Sequence, residues 1–443
     1  MTRFGIVGGG LLGMSLAWDL AKLGHDVTIF EGADRCGGLA APWELGDIVW
    51  DKHYHVTLRS DETLRELLRE LDLESELRWR SPGTGFFVDG AMYPFSGTPD
   101  YLRFPPLSLL QKIRLGATIL KASKIAQWQP LERLTAVEWL SRNCGRATVE
   151  RIWLPLLRAK LGPHATRASA AFIWAIIARM YAARRSGVGR ELFGYVDGGY
   201  DRTLRRFEER LTARGVRIRT ACRVERVTGL PDGVGIVAES TVHRFDKVIV
   251  TLAAPLAARI CPELTQRERM LCRGVEYQGI ICASVLTDSP LTPYYITNIA
   301  DGSVPFTAVI EMTALVERKT FNGKSLLYLP KYVAHDDPAL SLSDEEIESS
   351  FLAALERMHP GFSRRSVRAF RVSRVPMVFP IPTLGYSERL PPVQTSIPGL
   401  FMASSANIVN GTLNVNETLK LAKSLTPALL AESALPRRDA VAV

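Results

Sequence analysis

Residues 3–20, RFGIVGGGLLGMSLAWDL, decide the fold. The apolar run at residues 4–8 predicts a short buried strand, and residues 11–23 repeat apolar side chains at helical spacing. Gly24 suits the end of that helix, and DVTIFE at residues 26–31 is a β-branched run that predicts a second strand. A strand, a helix and a strand in about 30 residues predict two parallel strands joined by a crossover helix.

Three glycines stand in the turn between the first strand and the first helix, at the spacing G-x-G-x-x-G. In nucleotide-binding folds the first glycine permits a tight turn, the second lets the backbone approach a pyrophosphate, and the third lets helix and strand pack closely. The positive end of the helix then faces the phosphates. A glycine-rich turn without a ligand is the alternative. We predict that a dinucleotide cofactor contacts Gly8, Gly10, Leu11, Leu12 and Gly13.

The second strand ends in an acid, and a further glycine motif follows in EGADRCGGL, residues 31–39. A carboxylate at Glu31 can accept a hydrogen bond from a ribose hydroxyl. The run from Gly8 to Gly38 resembles the FAD-binding start of the glutathione-reductase-type flavoproteins. Within them it is similar to the branch of amine oxidases, protoporphyrinogen oxidases, phytoene desaturases and UDP-galactopyranose mutases. The resemblance implies FAD contacts at Glu31, Gly32, Arg35, Gly37, Gly38 and Leu39.

The resemblance extends along nearly the whole chain. DGGYDRTLRRFEERL and CRVERV, within residues 197–227, are similar to the middle FAD segment of that branch and place the Val224 backbone at adenine. Residues 398–425 resemble its C-terminal FAD segment and imply contacts at Ser404, Ser405, Asn414, Val415 and Asn416. Many relatives have Gly-Asp or Gly-Glu where this chain has the two serines. Asn414 and Glu417 have capping-box spacing, which predicts the start of a helix. The resemblance implies that the positive end of this helix faces the flavin, and an ordinary capped C-terminal helix is the alternative.

The six cysteines form no CxxC pair, so neither a zinc site, another metal site nor a disulfide framework is predicted. We expect reduced, mostly buried thiols. In monoamine oxidases a C-terminal cysteine links the flavin covalently. No cysteine follows Cys282 in this chain, so the resemblance implies noncovalent FAD.

Helical, strand-rich and α/β stretches alternate along the chain, which predicts an α/β protein, α+β overall. SDETLRELLRELDLESEL at residues 60–77 predicts an amphipathic helix, and Asp-Gly within residues 84–95 predicts a hairpin. The resemblance implies a glutathione-reductase-type Rossmann domain for FAD and a separate substrate-binding domain. The FAD-binding domain would be discontinuous, with residues 1–83, 191–265 and 375–443. The substrate-binding domain would combine a helical basic insert, residues 84–190, with a mixed β-sheet in residues 266–374.

The formal net charge is +9, and two acid-free segments hold more positive charge than that total. Residues 102–131 contain five Lys/Arg and residues 151–190 contain eight. A solvated basic face, an anionic small-molecule substrate and an anionic membrane surface all fit this pattern. Nucleic acid is not expected, because no recognition motif accompanies the charge. Residues 107–128 predict a helix with Leu109, Ile113, Leu120 and Ile125 near one face, for packing within the insert or for peripheral membrane contact.

The first residues are too glycine-rich for a signal peptide. The longest apolar run, residues 168–183, is broken by Arg179 and is shorter than a bilayer span. We therefore expect a cytoplasmic protein without a transmembrane anchor, with peripheral association at the inner face of the membrane as the alternative. The oligomeric state is not predicted.

Three side chains are candidates for the chemistry. WDKHYHV, residues 50–56, resembles the histidine loop near the flavin of UDP-galactopyranose mutases, so His53 and His55 would donate a hydrogen bond to the flavin or act as acid and base. Lys331 is similar in position to the strand lysine that holds a water near flavin N5 in amine oxidases. Structural histidines and a solvent-facing lysine are the alternatives. Residues 153–160, with Lys160 at their end, either line a substrate cavity or belong to the core.

These features predict an FAD-dependent oxidoreductase that takes a hydride from an organic substrate, hydrophobic or lipid-linked. The flavin carries the redox step, and the protein supplies binding and orientation. One alternative is a flavoenzyme like UDP-galactopyranose mutase that acts on a nucleotide- or lipid-linked sugar without net redox change. A second alternative is a non-enzymatic prenyl-binding module of the Rab GDP-dissociation-inhibitor type, against which the intact glycine fingerprint argues.

Overall fold

The computed structural model describes residues 1–185, 192–409 and 411–431, so the last part of the predicted basic segment, residues 186–190, lies outside the described residues. The strands are β1 (Arg3–Val7), β2 (Asp26–Phe30), β3 (Pro42–Leu45), β4 (Ile48–Asp51), β5 (Thr57–Leu58), β6 (Leu77–Arg80), β7 (Gly83–Val88), β8 (Ala91–Pro94), β9 (Phe193–Val196), β10 (Arg217–Arg219), β11 (Val224–Leu230), β12 (Gly233–Ala238), β13 (Thr241–Phe245), β14 (Lys247–Val250), β15 (Tyr277–Thr287), β16 (Tyr294–Ile299), β17 (Ala308–Glu311), β18 (Ser325–Ala334), β19 (Val367–Pro380) and β20 (Leu400–Met402). The α-helices are α1 (Leu11–Lys22), α2 (Glu62–Glu70), α3 (Thr98–Arg103), α4 (Leu109–Ser123), α5 (Ala136–Cys144), α6 (Arg146–Thr148), α7 (Leu154–Leu161), α8 (Ala170–Arg185), α9 (Gly199–Ala213), α10 (Ala254–Ile260), α11 (Gln266–Arg273), α12 (Asp344–Met358) and α13 (Val415–Leu430).

A five-stranded parallel sheet gathers segments from both ends and the middle of the chain, in the order β10-β2-β1-β14-β20. Helices α1, α9 and α13 cover one face of it. The antiparallel sheet β11-β12-β13 and helix α10 cover the other. Both faces are therefore buried, which explains the continuous apolar runs in β1 and β14. The prediction of an α/β protein is confirmed.

The predicted β-α-β unit at the start of the chain is confirmed as β1-α1-β2, and Gly24 follows the helix with a φ of +81°. The predicted hairpin is also confirmed as β7 and β8. Its turn residues, Asp89 and Gly90, both have positive φ (53° and 72°), as a two-residue hairpin turn requires.

The predicted helix over residues 60–77 is wrong in its second half. Helix α2 ends at Glu70, because Asp72 takes a left-handed conformation with φ of 60° that stops the helix. A short turn follows, and residues 77–80 then form β6, which pairs with β9. Acidic residues continue through this stretch, so composition alone did not mark the end of the helix.

A seven-stranded mixed sheet has the order β19-β15-β18-β17-β16-β7-β8. One face packs against residues 45–58, which include the histidine loop. The other face packs against α12. Helices from α3 to α8 surround a separate apolar core of the insert. Strand β19 continues to Pro380, beyond the expected start of an FAD-binding segment at residue 375.

Helix α4 turns apolar side chains outward. Leu109, Leu110, Ile113 and Leu120 are 67%, 66%, 61% and 52% exposed. Lys112 is buried instead, and its Nζ donates to a backbone carbonyl at 2.7 Å. The apolar side chains expected to pack within the insert thus face solvent at three of the four predicted positions. Within the described ranges, every helix falls short of the length and apolar character that a bilayer span requires.

Candidate cofactor and substrate site

The turn after β1 is tightly packed at two glycines and open at a third. Gly8 has a φ of +110°, and a Cβ on Gly13 would lie 2.0 Å from the Gly8 carbonyl oxygen, so only glycine fits at residue 13. A Cβ on Gly10 would meet no atom within 4 Å. Open space therefore lies against the backbone at the start of α1, where Leu11 and Leu12 form the first turn. This cradle fits the pyrophosphate of FAD.

Glu31 is held at the glycine turn. Its Oε2 accepts from the Gly9 backbone N–H at 2.7 Å, and its Oε1 accepts from Ala33 at 2.8 Å. The backbone N–H of Cys222 donates to the Glu31 carbonyl at 2.8 Å. This bond places Cys222, two residues before Val224, beside the Glu31 backbone. The predicted ribose and adenine contacts thus lie together at one end of the turn.

The paired glycines cross directly over the first turn. The Gly37 backbone N–H donates to the Gly9 carbonyl at 2.8 Å. Gly37 and Gly38 have φ of +116° and +58°, and a Cβ on Gly38 would lie 3.3 Å from the Gly10 Cα. Both positions favour glycine, because the backbone is left-handed and two loops approach closely there. Two separate glycine motifs therefore form one backbone surface.

The other predicted contacts around this motif lie at its edges. Gly32 packs near Arg223, whose Cα is 3.8 Å from the position of a Gly32 Cβ. Arg35 is half-exposed and its guanidinium is 3.9 Å from the Asp201 carboxylate. The Leu39 carbonyl accepts a hydrogen bond from the histidine loop at 3.1 Å. Arg35 therefore lies at the rim, whereas Leu39 faces inward.

The serines after β20 lie at the same carboxyl edge of the parallel sheet. Ser404 is buried; its Oγ accepts from the Ala406 backbone at 3.2 Å and is 3.3 Å from the Tyr277 hydroxyl. The Asn407 Oδ1 accepts from the Ser404 backbone N–H at 2.9 Å. Ser405 begins the short helical turn that follows. The serines thus stabilise a turn next to the predicted cofactor path.

The capping box predicted at the C-terminal helix is only half present. The Asn414 side chain accepts from the Glu417 backbone N–H at 3.0 Å. The Glu417 carboxylate does not return to the Asn414 backbone but accepts from the Asn416 side chain at 3.2 Å. Asn416 is buried, and its Oδ1 accepts from the Leu64 N–H of α2 at 3.1 Å. Val415 and Asn416 therefore offer a cofactor the positive start of α13 rather than a free side chain.

His53 is buried with partners on both ring nitrogens. Nδ1 lies 3.1 Å from the Leu39 carbonyl, so it carries the proton and donates. Nε2 lies 3.2 Å from the Ser373 hydroxyl, which donates to it. Burial lowers the pKa of His53 to about 4. The ring is therefore neutral near pH 7 and joins the paired-glycine loop to β19.

His55 has different surroundings. Its ring packs against Tyr200 at 5.0 Å between centroids, and its Nδ1 is 3.9 Å from the Asp51 carboxylate. Among the described residues, this nitrogen has no hydrogen-bond partner. Burial lowers the pKa of His55 to about 4 and raises that of Asp51 to about 7. The two histidines therefore point toward different elements, although their spacing had suggested one face.

Lys331 lies on the wrong face of β18 to join them. Successive side chains of a strand point to opposite faces. Leu329 and Val333 pack with Phe351 of α12, so Lys331 shares that face. Tyr332 faces the histidine loop instead. The structure does not bring the three predicted catalytic residues together.

Lys160 contacts the face of the seven-stranded sheet that carries Tyr332, opposite to the face of Lys331. Its Nζ donates to the Tyr332 hydroxyl at 3.0 Å and lies 5.9 Å from the Phe379 ring centroid. The Tyr54 hydroxyl is 3.1 Å from the Tyr332 hydroxyl, and burial raises the pKa of Tyr54 well above its ordinary value. Leu157, one turn earlier on α7, belongs to the insert core. The core alternative is therefore confirmed for Leu157, whereas a substrate cavity at residues 153–160 stays a prediction.

Sequence reasoning missed several residues at the site. Thr251 follows β14 and donates to the Val7 carbonyl at 3.0 Å, where its Oγ1 would contact any Cβ on Gly8. Its position after a buried parallel strand was a usable signal. Tyr54 stands between the two noted histidines. Gln278 is fully buried in β15, and no local pattern marks it.

Comparisons with known proteins agree with this geometry. The protein family described as "flavin containing amine oxidoreductase" matches residues 13–414 of this chain. A 15-cis-phytoene desaturase from Synechococcus elongatus is 22% identical over 99% of this chain and 98% of its own. An Exiguobacterium protein assigned as a protoporphyrinogen oxidase superposes with a TM-score of 0.77 at 18% identity, over 97% of this chain and 98% of its own. A reduced UDP-galactopyranose mutase superposes with a TM-score of 0.75 at 12% identity, over 98% of this chain and 97% of its own. The chain belongs to the flavin-containing amine oxidoreductase family and is an FAD-dependent oxidoreductase.

Proposed function

We propose that this enzyme binds FAD noncovalently along the carboxyl edge of the five-stranded sheet and oxidises an apolar organic substrate. The observation that carries the proposal is the open cradle at Gly10, beside which the Glu31 carboxylate and the Gly37 N–H both hydrogen-bond to the Gly9 backbone. When bound there, FAD would supply the acceptor for a hydride from a substrate carbon. The FAD-binding domain would be discontinuous, with residues 1–83, 191–265 and 375–443, as the assembly of the parallel sheet from distant segments supports.

In this proposal the substrate lies on the face of the seven-stranded sheet that Tyr54 and Tyr332 share. That face is mostly apolar, with Ile280 and Tyr328 in one buried cluster. The neutral His53 would hold the loop beside the flavin, because its Nδ1–H donates to the Leu39 carbonyl and is not free for transfer. It is a positioning residue here rather than an acid or base. Residues 84–190 and 266–374 together would form the substrate-binding domain.

The function is tested with purified protein and a panel of oxidisable compounds. The expected result is bound flavin that bleaches without oxygen on addition of at least one amine, porphyrinogen or polyprenyl compound, with peroxide formed in air. Protein without any flavin would overturn the proposal. Turnover of a nucleotide- or lipid-linked sugar only after reduction of the flavin would favour the mutase alternative. Membership of an oxidoreductase family argues against the non-enzymatic prenyl-binding alternative.

We also propose that the cytoplasmic protein meets an anionic membrane through α4. Leu109, Leu110 and Ile113 are each more than 60% exposed on this helix. The segment around them, residues 102–131, contains five Lys/Arg and no acid. An apolar strip beside excess positive charge suits an interface that carries anionic lipids.

Sedimentation with lipid vesicles tests this surface. We expect binding to vesicles that contain phosphatidylglycerol and weaker binding to pure phosphatidylcholine. The double variant L110D/I113D should stay in the supernatant. M270D is the matched control, because Met270 is 62% exposed on a helix elsewhere. Equal sedimentation of both variants would contradict the proposed membrane surface.

A further inference from the structure

Gln278 is a fully buried amide that the protein itself does not satisfy. Its side chain has no exposed surface, and neither Oε1 nor Nε2 has a hydrogen-bond partner among the described residues. Buried polar groups in native proteins nearly always have a partner, because an unpaired one costs stability. A ligand that accepts a hydrogen bond from Nε2 would remove the part of this cost that the unpaired donor causes.

The amide faces the region between the large sheet and the end of α7. Gln278 pairs across β15 and β19 with Phe379. A Cβ on Gly162, directly after α7, would lie 3.8 Å from the Gln278 Nε2. Ile280, two residues further along the strand, lies on the same face and packs in the cluster that includes Tyr332. Gln278 is therefore on the proposed substrate face.

Lys160 approaches the same place from α7. Its ammonium lies 5.9 Å from the ring of Phe379, the cross-strand partner of Gln278. Its hydrogen bond at 3.0 Å goes to the Tyr332 hydroxyl. No carboxylate within the described part of the chain forms an ion pair with Lys160, so its positive charge is not balanced there. Phe379 therefore connects the two residues, because its ring lies near the Lys160 ammonium and its backbone pairs with that of Gln278.

We propose that Lys160 and Gln278 bind the carboxylate of a substrate whose apolar part extends over the sheet face toward Tyr54. One carboxylate oxygen would accept from the Lys160 ammonium and the other from the Gln278 Nε2. A single negative charge matches a single cation and a neutral amide, whereas a phosphate would bring a second charge without a partner. This inference rests on the proposed function, since it names the substrate class of the same site.

Binding to the FAD-loaded enzyme tests the proposal with three simple probes. Decanoate, decan-1-ol and decyl phosphate share one chain and differ only in the head group. Titration is followed by calorimetry and by the change in the flavin absorption spectrum. We expect decanoate to bind at least tenfold more tightly than the alcohol. Equal affinities for acid and alcohol, or tighter binding of the phosphate, would overturn the carboxylate assignment.

Single variants test which residues bind the carboxylate of decanoate. Lys160→Met keeps the apolar stem and should weaken decanoate binding at least tenfold, and Gln278→Met should weaken it several-fold. Arg158→Met is the matched control, because Arg158 is exposed on the same helix. It should bind decanoate as the parent enzyme does. Unchanged binding in Lys160→Met would overturn the proposal.

Two readouts separate this inference from the proposed function. Flavin content after gel filtration should be the same in all variants, so a loss of decanoate binding with full flavin concerns only the carboxylate site. Gln278→Met should also melt at a higher temperature than the parent without ligand, because it removes an unpaired buried amide. A lower melting temperature would show that Gln278 already has partners and would contradict its role as a ligand group.

Discussion

The glycine turn and the proposed substrate face of the large sheet are formed in opposite ways. At the turn, backbone atoms make the contacts: the Gly37 N–H donates to the Gly9 carbonyl, and the Glu31 carboxylate accepts from backbone N–H groups. On the substrate face, side chains from three distant segments meet, as Lys160, Tyr332 and Tyr54 do. A site of backbone atoms depends on which positions are glycine, whereas a site of side chains depends on which residues a fold happens to bring together.

The largest effect should come from Gly13→Val. The new Cβ would lie 2.0 Å from a backbone oxygen, so the turn and α1 must separate. We expect a loss of at least about 3 kcal/mol in unfolding free energy and no retained flavin. Urea denaturation and the flavin-to-protein absorbance ratio measure both. Gly116→Ala in α4 is the control, because its Cβ meets open space in a helix interior and should be neutral or stabilising. Equal effects would show that the turn is not sterically constrained.

Gly10→Val separates cofactor binding from folding at the same turn. Its side chain would enter the open space that we assign to the pyrophosphate. The melting temperature of the FAD-free protein should stay close to that of the parent, while the FAD dissociation constant rises at least about tenfold. Fluorescence titration of the apoprotein with FAD measures this constant. Normal FAD affinity would place the pyrophosphate elsewhere.

The pH dependence of stability should reveal the neutral state of His53, which links the two regions. Its pKa falls from 6.5 to about 4 in the folded protein. Above pH 6.5 neither state carries the charge and the full stability is present. As the pH falls from 6.5 toward 4, the unfolded chain binds a proton that the folded ring does not. The free energy of unfolding therefore falls by about 2 kcal/mol between pH 7 and 5.

His53→Gln removes that proton while keeping a donor and an acceptor. Its unfolding free energy, measured by urea denaturation at several pH values, should therefore fall less steeply than that of the parent between pH 7 and 5. His55 remains in both proteins, so its own contribution cancels. Parallel curves would mean that His53 binds a proton in the folded protein as readily as in the unfolded chain.

The smallest effect on the free energy of unfolding is expected at two asparagines at the start of the C-terminal helix, Asn414 and Asn416. Asn414→Ala removes one cap bond, to the Glu417 N–H at 3.0 Å, and should cost about 1 kcal/mol. Asn416→Ala should cost more, because it leaves the buried Leu64 N–H without its acceptor. Thermal unfolding of both variants compares them. The reverse order would show that the Asn414 cap matters more for stability than the contact of Asn416 to α2.

The sequence was informative where local spacing determines geometry. The crossover unit, the hairpin turn at Asp89-Gly90 and the cap at Asn414 follow from backbone conformation or from bonds between residues close in sequence. The end of α2 was misjudged, because a left-handed Asp72 looks like any other acid in a charged helix.

The substrate face could not be predicted in this way. Its partners are separated by more than 100 residues, as the Lys160–Tyr332 hydrogen bond shows. Which face of β18 carries Lys331 depends on register, and a shift of one residue exchanges the two faces. Gln278 had no signal, because an unpaired amide is defined by what surrounds it in space.

The order of strands in the parallel sheet has a consequence for how the chain folds during synthesis. β1 is made first and pairs with β2 early, but its other neighbour, β14, is made more than 200 residues later, and β20 later still. Contacts of such long sequence separation slow folding. Until β14 is made, one edge of β1 is exposed to pairing with other chains. A ribosome-bound chain halted before residue 247 should therefore aggregate more readily than one halted after residue 430.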